Sequence, residues 1–174
     1  MTKILLKDFQ IKQLGPQHVV EILALQERIF DSLTDKSTLR RNTPQMFEMC
    51  VQPPHYSLGV WYEGNLVGLA ILYCPDMGEE NLAKCLQGVE VNAETSANYK
   101  LVLVEPHCRG NGLQFHLGLL LEQQALIMGK TVMCCTVSPD NPYSRNNMLK
   151  LGYTYNRTLS KYGSIRDLYY KTLQ

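Results

Sequence analysis

Residues 102–113 constrain the fold of this chain more than any other part, because a strand, a turn and a helix start follow one another there. The sequence is VLVEPHCRGNGL. The apolar run at its start is typical of a buried strand, and Pro106 must end that strand because proline cannot donate to a sheet ladder. Gly110 and Gly112 then precede a leucine-rich run typical of a helix. The segment therefore predicts a strand, a glycine loop and a helix in direct succession.

Such a junction is suited to binding an anion. The first N–H groups of a helix have no intrahelical acceptor, and the helix dipole places partial positive charge there. Glycines let a pyrophosphate approach these amides, and Arg109 adds a planar cation. Two glycines before a helix are equally typical of a plain turn, however. The loop also lacks the Gly-Lys-Ser/Thr of a Walker loop and the third glycine of a dinucleotide fingerprint.

The residues around the glycines favour one family. The spacing Val-x-Pro-x-x-Arg-Gly-x-Gly-Leu over 104–113 resembles the coenzyme A motif of the GNAT superfamily of N-acetyltransferases. That motif reads Gln/Arg-x-x-Gly-x-Gly/Ala, and Arg109, Gly112 and Gln114 stand at its marked positions. Gln114 departs from the small residue that is usual there.

A second motif lies at 141–153, with the sequence NPYSRNNMLKLGY. It resembles the family's Asn-x-x-Ala/Ser helix that ends in Gly-Phe/Tyr, and Asn141, Ser144, Gly152 and Tyr153 match in position. Asn before Pro at a helix start and Gly at a helix end are also ordinary capping residues. Capping does not explain the separation from the first motif, which is one helix and one strand, as in the family.

The resemblance implies an α/β fold with a GNAT-like, mixed, mostly antiparallel central sheet. About four helices flank this sheet, which is splayed around its central strands. Hydrophobic patterning agrees with that order: strand, helix, helix, two hairpin strands, strand, helix, strand, helix and two terminal strands. We expect residues 1–174 to form a single domain.

The resemblance also implies acetyl-CoA as co-substrate, without a metal. In the family, the end of the central strand pairs with the pantetheine arm, and a free N–H there stabilises charge on the thioester oxygen. The Asn of the second motif contacts the same arm. The residues expected to bind the cofactor are Val102, Leu103, Val104, Arg109, Gly110, Asn111, Gly112, Leu113, Gln114, Asn141 and Ser144.

The expected activity is acetyl transfer from acetyl-CoA to a primary amine of a small molecule or peptide, by direct attack in a ternary complex. The alternative is a coenzyme A-binding module of this fold, a sensor or scaffold with little or no turnover. A third interpretation is a nucleotide-binding or purely structural α/β protein in which residues 109–114 form only a turn. The aromatic residues of the predicted hairpin are expected to pack on the sheet; they are Tyr56, Trp61, Tyr62 and Tyr73. If some of these rings face a pocket, they would suit an aliphatic or cationic amine.

The catalytic residues are not identified by the sequence. Many family members protonate the leaving thiolate with a Tyr seven residues after the Asn, where this chain has Met148, a residue typical of core packing. The thiolate leaves without a dedicated acid, or Tyr143 or Tyr162 supplies the proton, or the protein binds acetyl-CoA without rapid turnover. The candidate bases are Glu90, Glu94 and Glu105, and the last is expected to face solvent.

The amino-acid composition narrows the remaining classes of protein function. Seventeen Lys and Arg residues against 16 Asp and Glu give a net charge of +1, which argues against nucleic-acid binding. The acidic stretch 76–94 is expected to be a solvated linker. Six cysteines without a C-x-x-C pair predict neither a zinc site nor disulfides, and with no signal peptide or transmembrane run they indicate a cytoplasmic protein. A homodimer paired through the terminal strands is compatible with the pattern.

Overall fold

The computed structural model describes residues 4–174, which contain four helices and seven strands. The helices are α1 (Val19–Ser32), α2 (Pro44–Cys50), α3 (Leu113–Ile127) and α4 (Pro142–Lys150). The strands are β1 (Gln10–Gln13), β2 (Tyr56–Tyr62), β3 (Asn65–Tyr73), β4 (Ser96–Val104), β5 (Val132–Val137), β6 (Thr154–Lys161) and β7 (Ser164–Thr172). The order of elements is the one that the sequence predicts.

The strands form one sheet in the order β1-β2-β3-β4-β5-β7-β6. Its pairing is mostly antiparallel, with β4 and β5 parallel. A parallel pair needs a crossover connection, and α3 supplies it. The predicted mixed, mostly antiparallel sheet with about four helices is therefore confirmed. The splay around its central strands stays a prediction.

The chain forms two compact units. The first contains the described residues up to Ile71 together with 101–117, and the second contains 72–100 together with 118–174. Strands β3 and β4 and helix α3 contribute residues to both. That residues 1–174 behave as a single domain stays a prediction.

Local signals explain the first unit. Thr43 caps α2 by accepting a hydrogen bond from the amide of Met46, and Pro44 stands at the first helical position. Glu63 and Gly64 have φ angles of 49° and 80°, which is the left-handed backbone that a two-residue hairpin turn requires between β2 and β3. The core of the unit is apolar, with α1 contributing its buried stripe of Val19, Ile22, Leu25 and Ile29.

In the second unit, the acidic stretch is packed against the sheet and is more than a solvated linker. Several of its carboxylates are exposed, but Asn81 is 1% exposed. The side-chain nitrogen of Asn81 donates to the carbonyl oxygens of Asp76 and Ala93 (3.0 and 2.8 Å). Its side-chain oxygen accepts from the backbone amide of Ala83 (3.1 Å) and from the hydroxyl of Ser96 (3.0 Å). Its neighbours Leu82 and Ala83 join a core cluster with residues of β5 and β7.

Candidate active site

The parallel pairing of β4 with β5 is short. It joins Ser96 to Val132, Ala97 to Met133 and Asn98 to Cys134. Strand β4 then continues for six residues, 99–104, towards the glycine loop. Within the first unit, Gly68 of β3 lies so close to this part of β4 that a Cβ there would stand 3.0 Å from the carbonyl oxygen of Leu103. The predicted cofactor residues Val102, Leu103 and Val104 are thus the last three residues of β4, directly before the turn.

The chain turns sharply after β4. The amide of Glu105 donates to the carbonyl oxygen of Val67 (2.8 Å), and Pro106 opens a short 3-10 turn. The Glu105 carboxylate forms an ion pair with Arg28 of α1 at 2.7 Å, and its side chain is only 15% exposed. The expectation that Glu105 faces solvent is wrong, because the turn directs its carboxylate back towards α1. His107 lies on the exposed side, 3.4 Å from Glu105.

The glycine loop has the backbone that the sequence predicts. Gly110 and Gly112 have φ angles of 81° and 79°, and a Cβ at either position would meet no atom within 4 Å. Arg109 donates from Nε to the carbonyl oxygen of Val104 at 2.9 Å, which uses one nitrogen of its guanidinium. The loop is therefore open on the side where side chains would stand, and a large anion can approach its backbone.

Asn111 organises the start of α3. Its side-chain nitrogen donates to the carbonyl oxygen of Cys108 (2.8 Å), and its side-chain oxygen accepts from the amide of Leu113 (3.1 Å). The carbonyl of Gly112 accepts the amide of His116 at 3.0 Å, so Gly112 is the N-cap of the helix. Leu113 is buried and Gln114 half-buried, so Gln114 lies at the surface of the first turn.

The second motif forms the start of α4, in the second unit. Asn141 accepts the amide of Ser144 with its side-chain oxygen at 3.0 Å, and Pro142 occupies the first helical position. Asn141 is exposed and Ser144 half-buried. Helix α4 ends as predicted, with Gly152 at a φ of 88°. The capping function of Asn141 uses its oxygen, so its side-chain nitrogen remains the donor suited to a cofactor.

The position of the missing acid is apolar and buried. Met148 is 2% exposed, which confirms the prediction of core packing. Of the two tyrosines considered as substitutes, Tyr143 is 86% exposed, whereas the hydroxyl of Tyr162 lies 3.5 Å from Glu80. The proposed bases Glu90 and Glu94 are both exposed.

The structure thus joins nine predicted cofactor residues in one continuous strand, loop and helix start within the first unit. These are Val102, Leu103, Val104, Arg109, Gly110, Asn111, Gly112, Leu113 and Gln114. The other two, Asn141 and Ser144, lie in the second unit.

Buried polar groups in the second unit are not evident from the sequence. Glu122 of α3 is 8% exposed and pairs with Lys171 of β7 at 2.6 Å, and Lys171 also donates to the carbonyl oxygen of Leu151. Burial raises the pKa of Glu122, and the Lys171 ammonium opposes that shift. The hydroxyls of Tyr99 and Tyr153 are buried without a hydrogen-bond partner in the described part of the chain. Burial raises the pKa of both phenols, with Cys135 adding to the effect.

None of the six cysteines, all within residues 4–174, forms a disulfide, and five are buried. Burial raises the pKa of Cys134 to about 12 and raises the pKa of Cys135 as well. These thiols are therefore protonated packing groups. Among residues 4–174, no cluster of three or more His, Cys, Asp or Glu side chains is placed to hold a metal ion. No helix in this part of the chain has the length and apolarity needed to cross a bilayer.

The fold resembles many solved acetyltransferases. An N-acetyltransferase from Staphylococcus aureus Mu50 superposes with a TM-score of 0.72 at 16% identity, over 95% of this chain and 99% of that one. The Salmonella typhimurium protein yncA, solved with its cofactor acetyl-CoA, gives a TM-score of 0.71 at 16% identity over 96% and 95% of the two chains. A ribosomal-protein-alanine N-acetyltransferase from Brucella melitensis gives 0.70 at 20% identity over 94% and 99%. At such identities these similarities establish the fold alone.

Sequence similarity establishes the family. No curated protein matches the chain. Residues 21–153, which include both motifs, match the profile described as the acetyltransferase (GNAT) family. The match covers most of the chain, and acetyl-CoA is the donor that this family uses. The chain therefore belongs to the GNAT family of acetyltransferases and is an acyltransferase.

Proposed function

We propose that this protein is an N-acetyltransferase that moves the acetyl group of acetyl-CoA to a primary amine of a small molecule or peptide, by direct attack in a ternary complex. The observation that carries this proposal is the open glycine loop between β4 and α3. It has left-handed Gly110 and Gly112 and nothing within 4 Å of where their side chains would stand, in a chain of the GNAT family.

The loop residues fit the pyrophosphate of coenzyme A. Backbone amides of Gly110, Asn111, Gly112, Leu113 and Gln114 would bind it, helped by the partial positive charge at the start of α3. The amide of Leu113 is held by Asn111 in this structure, so an incoming phosphate would compete with that bond or use neighbouring amides. Arg109 keeps its terminal guanidinium nitrogens for a phosphate, because the bond to Val104 uses Nε.

The pantetheine arm would pair with the backbone of Val102, Leu103 and Val104. The described pairing with β5 ends at Asn98, so β4 continues past it with backbone groups suited to an added strand. The side-chain nitrogen of Asn141 and the hydroxyl of Ser144 would complete the cofactor residues.

Acetyl-CoA, when bound, supplies the acetyl group as an activated thioester. The backbone N–H groups of β4 beyond Asn98 are suited to bind the thioester carbonyl oxygen and to stabilise negative charge there. Met148 cannot donate a proton, so the chain provides no acid from the usual helix position. A thiol with a pKa of about 8.5 is a tolerable leaving group without one.

The alternative is a coenzyme A-binding module with little or no turnover, and the burial of Met148 at the acid position favours it. We further propose that the protein is a single domain and that it is located in the cytoplasm. The absence of disulfides among its six cysteines supports the location. A homodimer through the terminal strands is supported by the position of β6 at the edge of the sheet.

Two measurements test these proposals in sequence. A ligand at 100 times its dissociation constant adds about 2.7 kcal/mol to the free energy of unfolding, so acetyl-CoA should raise the melting temperature clearly. No stabilisation at millimolar acetyl-CoA would contradict both coenzyme A hypotheses. Thiol release is then measured over a panel of amines. Turnover supports the acetyltransferase, and tight binding without turnover on any amine supports the binding module.

A further inference from the structure

A cluster of charged and aromatic side chains lies where β4 separates from β5 and is not used by the cofactor site. We name it the Glu80 cluster, and all its members belong to the second unit. Its members are Tyr73, Glu80, Asn98, Lys100 and Tyr162.

The carboxylate of Glu80 is the centre of this cluster. Its Oε2 lies 3.5 Å from the Lys100 ammonium and accepts from the Tyr162 hydroxyl, also at 3.5 Å. The Lys100 ammonium also stands 4.6 Å from the ring centroid of Tyr73, within cation–π range. Both contacts of the carboxylate are at the outer limit for a hydrogen bond, so closer partners can replace them.

The backbone that carries the Glu80 carboxylate is anchored by side chains of other elements. The carbonyl oxygen of Glu80 accepts the side-chain nitrogen of Asn98 at 2.7 Å, and the next residue is the buried Asn81. On the other side, Lys161 donates to the carbonyl oxygen of Glu79 at 2.6 Å. The anchored backbone limits the positions that the carboxylate can reach, so less ordering is needed when a ligand binds.

Asn98 has an unused acceptor. Its residue is 2% exposed, and its Oδ1 is buried without a hydrogen-bond partner among the described residues. Native structures rarely leave such an atom unpaired. A surface ion pair explains the contact between Glu80 and Lys100, but it does not explain this oxygen. An N–H group of a bound ligand would explain it, because that group would donate a hydrogen bond to the Asn98 oxygen.

The cluster has one negative and one positive charge on a partly buried surface. The side chain of Lys100 is 13% exposed and that of Glu80 is 43% exposed. Asn98 and Lys100 lie on the same face of β4, since residues two apart do so, and Lys100 precedes the proposed cofactor residue Val102 by two positions. Lys100 therefore lies on β4, the strand that also carries the proposed cofactor residues.

We propose that the Glu80 cluster binds the acceptor, and that the acceptor is a small molecule with a carboxylate beside its amine, such as an α-amino acid. Glu80 and Asn98 Oδ1 receive the ammonium, and Lys100, which lies over the ring of Tyr73, binds the carboxylate. This inference rests on the proposed acetyltransferase function and specifies its substrate class and its base.

The proton balance assigns one task to Glu80. Its carboxylate takes one proton from the acceptor ammonium, and the nitrogen lone pair then forms the C–N bond to the acetyl carbon. The C–S bond breaks, and its electron pair leaves on sulfur. The thiolate takes up the second proton that the nitrogen loses, and Glu80 releases the first proton to solvent.

The test uses α-amino acids, each paired with the amine that lacks only the carboxylate, such as phenylalanine and phenethylamine. Lys100→Met should lower kcat/KM for the amino acids by about tenfold and leave the matched amines nearly unchanged. Glu80→Gln should lower kcat for both members of each pair by about a hundredfold at neutral pH, with a smaller loss at high pH where the free amine predominates. Glu79→Gln and Lys84→Met are matched controls, because both side chains are exposed and outside the cluster.

A binding measurement separates recognition from turnover. With free coenzyme A present, the amino acids should raise the melting temperature of the wild type and of Glu79→Gln, but not of Lys100→Met. If the wild type and Lys100→Met prefer amino acids over the matched amines to the same extent in kcat/KM, the assignment of the acceptor site is wrong. If the pH profile of Glu80→Gln is the same as that of the wild type, the assignment of Glu80 as the base is wrong. In both cases the proposed function stands if the wild type still acetylates an amine. No turnover on any amine would instead contradict the proposed function.

Discussion

Arg109 donates from Nε to the carbonyl oxygen of Val104 at 2.9 Å, which ties the first residue of the glycine loop to the last residue of β4. We expect Arg109→Ala to weaken acetyl-CoA binding by about tenfold, because it removes both this bond and a charge-assisted phosphate contact. Isothermal titration with acetyl-CoA measures the effect. Arg166→Ala is the control, since Arg166 bonds Ser164 on the terminal hairpin. Equal affinities for Arg109→Ala and the wild type would place the phosphate elsewhere.

Gln114 offers a test of the helix start that leaves the loop backbone intact. A substitution at Gly112 strains the chain because its φ is 79°, whereas Gln114 lies within α3. Gln114→Glu places a negative charge beside the proposed pyrophosphate and should weaken acetyl-CoA binding by about tenfold. Gln114→Ala restores the small residue of the family motif and should bind at least as tightly as the wild type. If Gln114→Glu binds equally well, the first turn of α3 does not contact the anion.

Lys171 is the counter-charge of a buried carboxylate. It contacts Glu122 at 2.6 Å, and the Glu122 side chain is 11% exposed. Lys171→Met should lower the free energy of unfolding by about 1–3 kcal/mol, because it leaves Glu122 without its counter-charge. Urea unfolding at pH 5 and pH 8 measures this loss.

The sign of its pH dependence follows from the raised pKa of Glu122. The folded state holds the proton more tightly than the unfolded state, so stability falls as pH rises from the ordinary value towards the folded pKa. Without Lys171 the pKa rises further, and the loss should be larger at pH 8 than at pH 5. Adding Glu122→Gln should remove the difference between the two pH values. If Lys171→Met alone loses the same free energy of unfolding at pH 5 and at pH 8, the broken ion pair is not the cause of that loss.

Buried thiols predict a loss of stability in alkali. The pKa of Cys134 is raised from 9.0 to about 12, so between these values the unfolded chain releases a proton that the folded chain keeps. Stability then falls with rising pH by about 1.4 kcal/mol per pH unit for each such group. Cys135, Tyr99 and Tyr153 act in the same direction.

Cys134→Ala should make this slope shallower, whatever it does to stability at neutral pH. Thermal unfolding between pH 8 and pH 10.5 measures the slope, and Cys85→Ala is the control for loss of a half-buried thiol. A slope unchanged by Cys134→Ala would mean that the thiol titrates alike in both states.

The parts of the fold that local chemistry determines were predictable. Thr43 and Asn141 stand before prolines, which is a sequence signal for a helix start, and both cap their helices. The glycine loop has the φ angles that its two glycines allow. The two short motifs were enough to identify the family, because each is a continuous stretch of sequence and only one helix and one strand separate them.

Long-range partners were not predictable from the sequence. Glu105 pairs with Arg28, which lies 77 residues earlier, and no local pattern marks that contact. Glu122 stands in a leucine-rich run, where its partner Lys171 is 49 residues away. Glu80 was one carboxylate in an acidic stretch whose composition indicates solvent exposure. Its neighbour Asn81 is buried by contacts that only the folded sheet provides.

Asn81 has a consequence for how the protein opens. Its side chain bonds four groups between Asp76 and Ser96, so the stretch before β4 cannot detach without breaking bonds to the strand itself. Regions that open locally exchange their amide hydrogens quickly, and regions that open with the core exchange them slowly. The amide of Ala83 should therefore exchange at a rate close to those of the central sheet. A segment with the composition of a surface linker thus belongs to the same cooperative unfolding unit as β4.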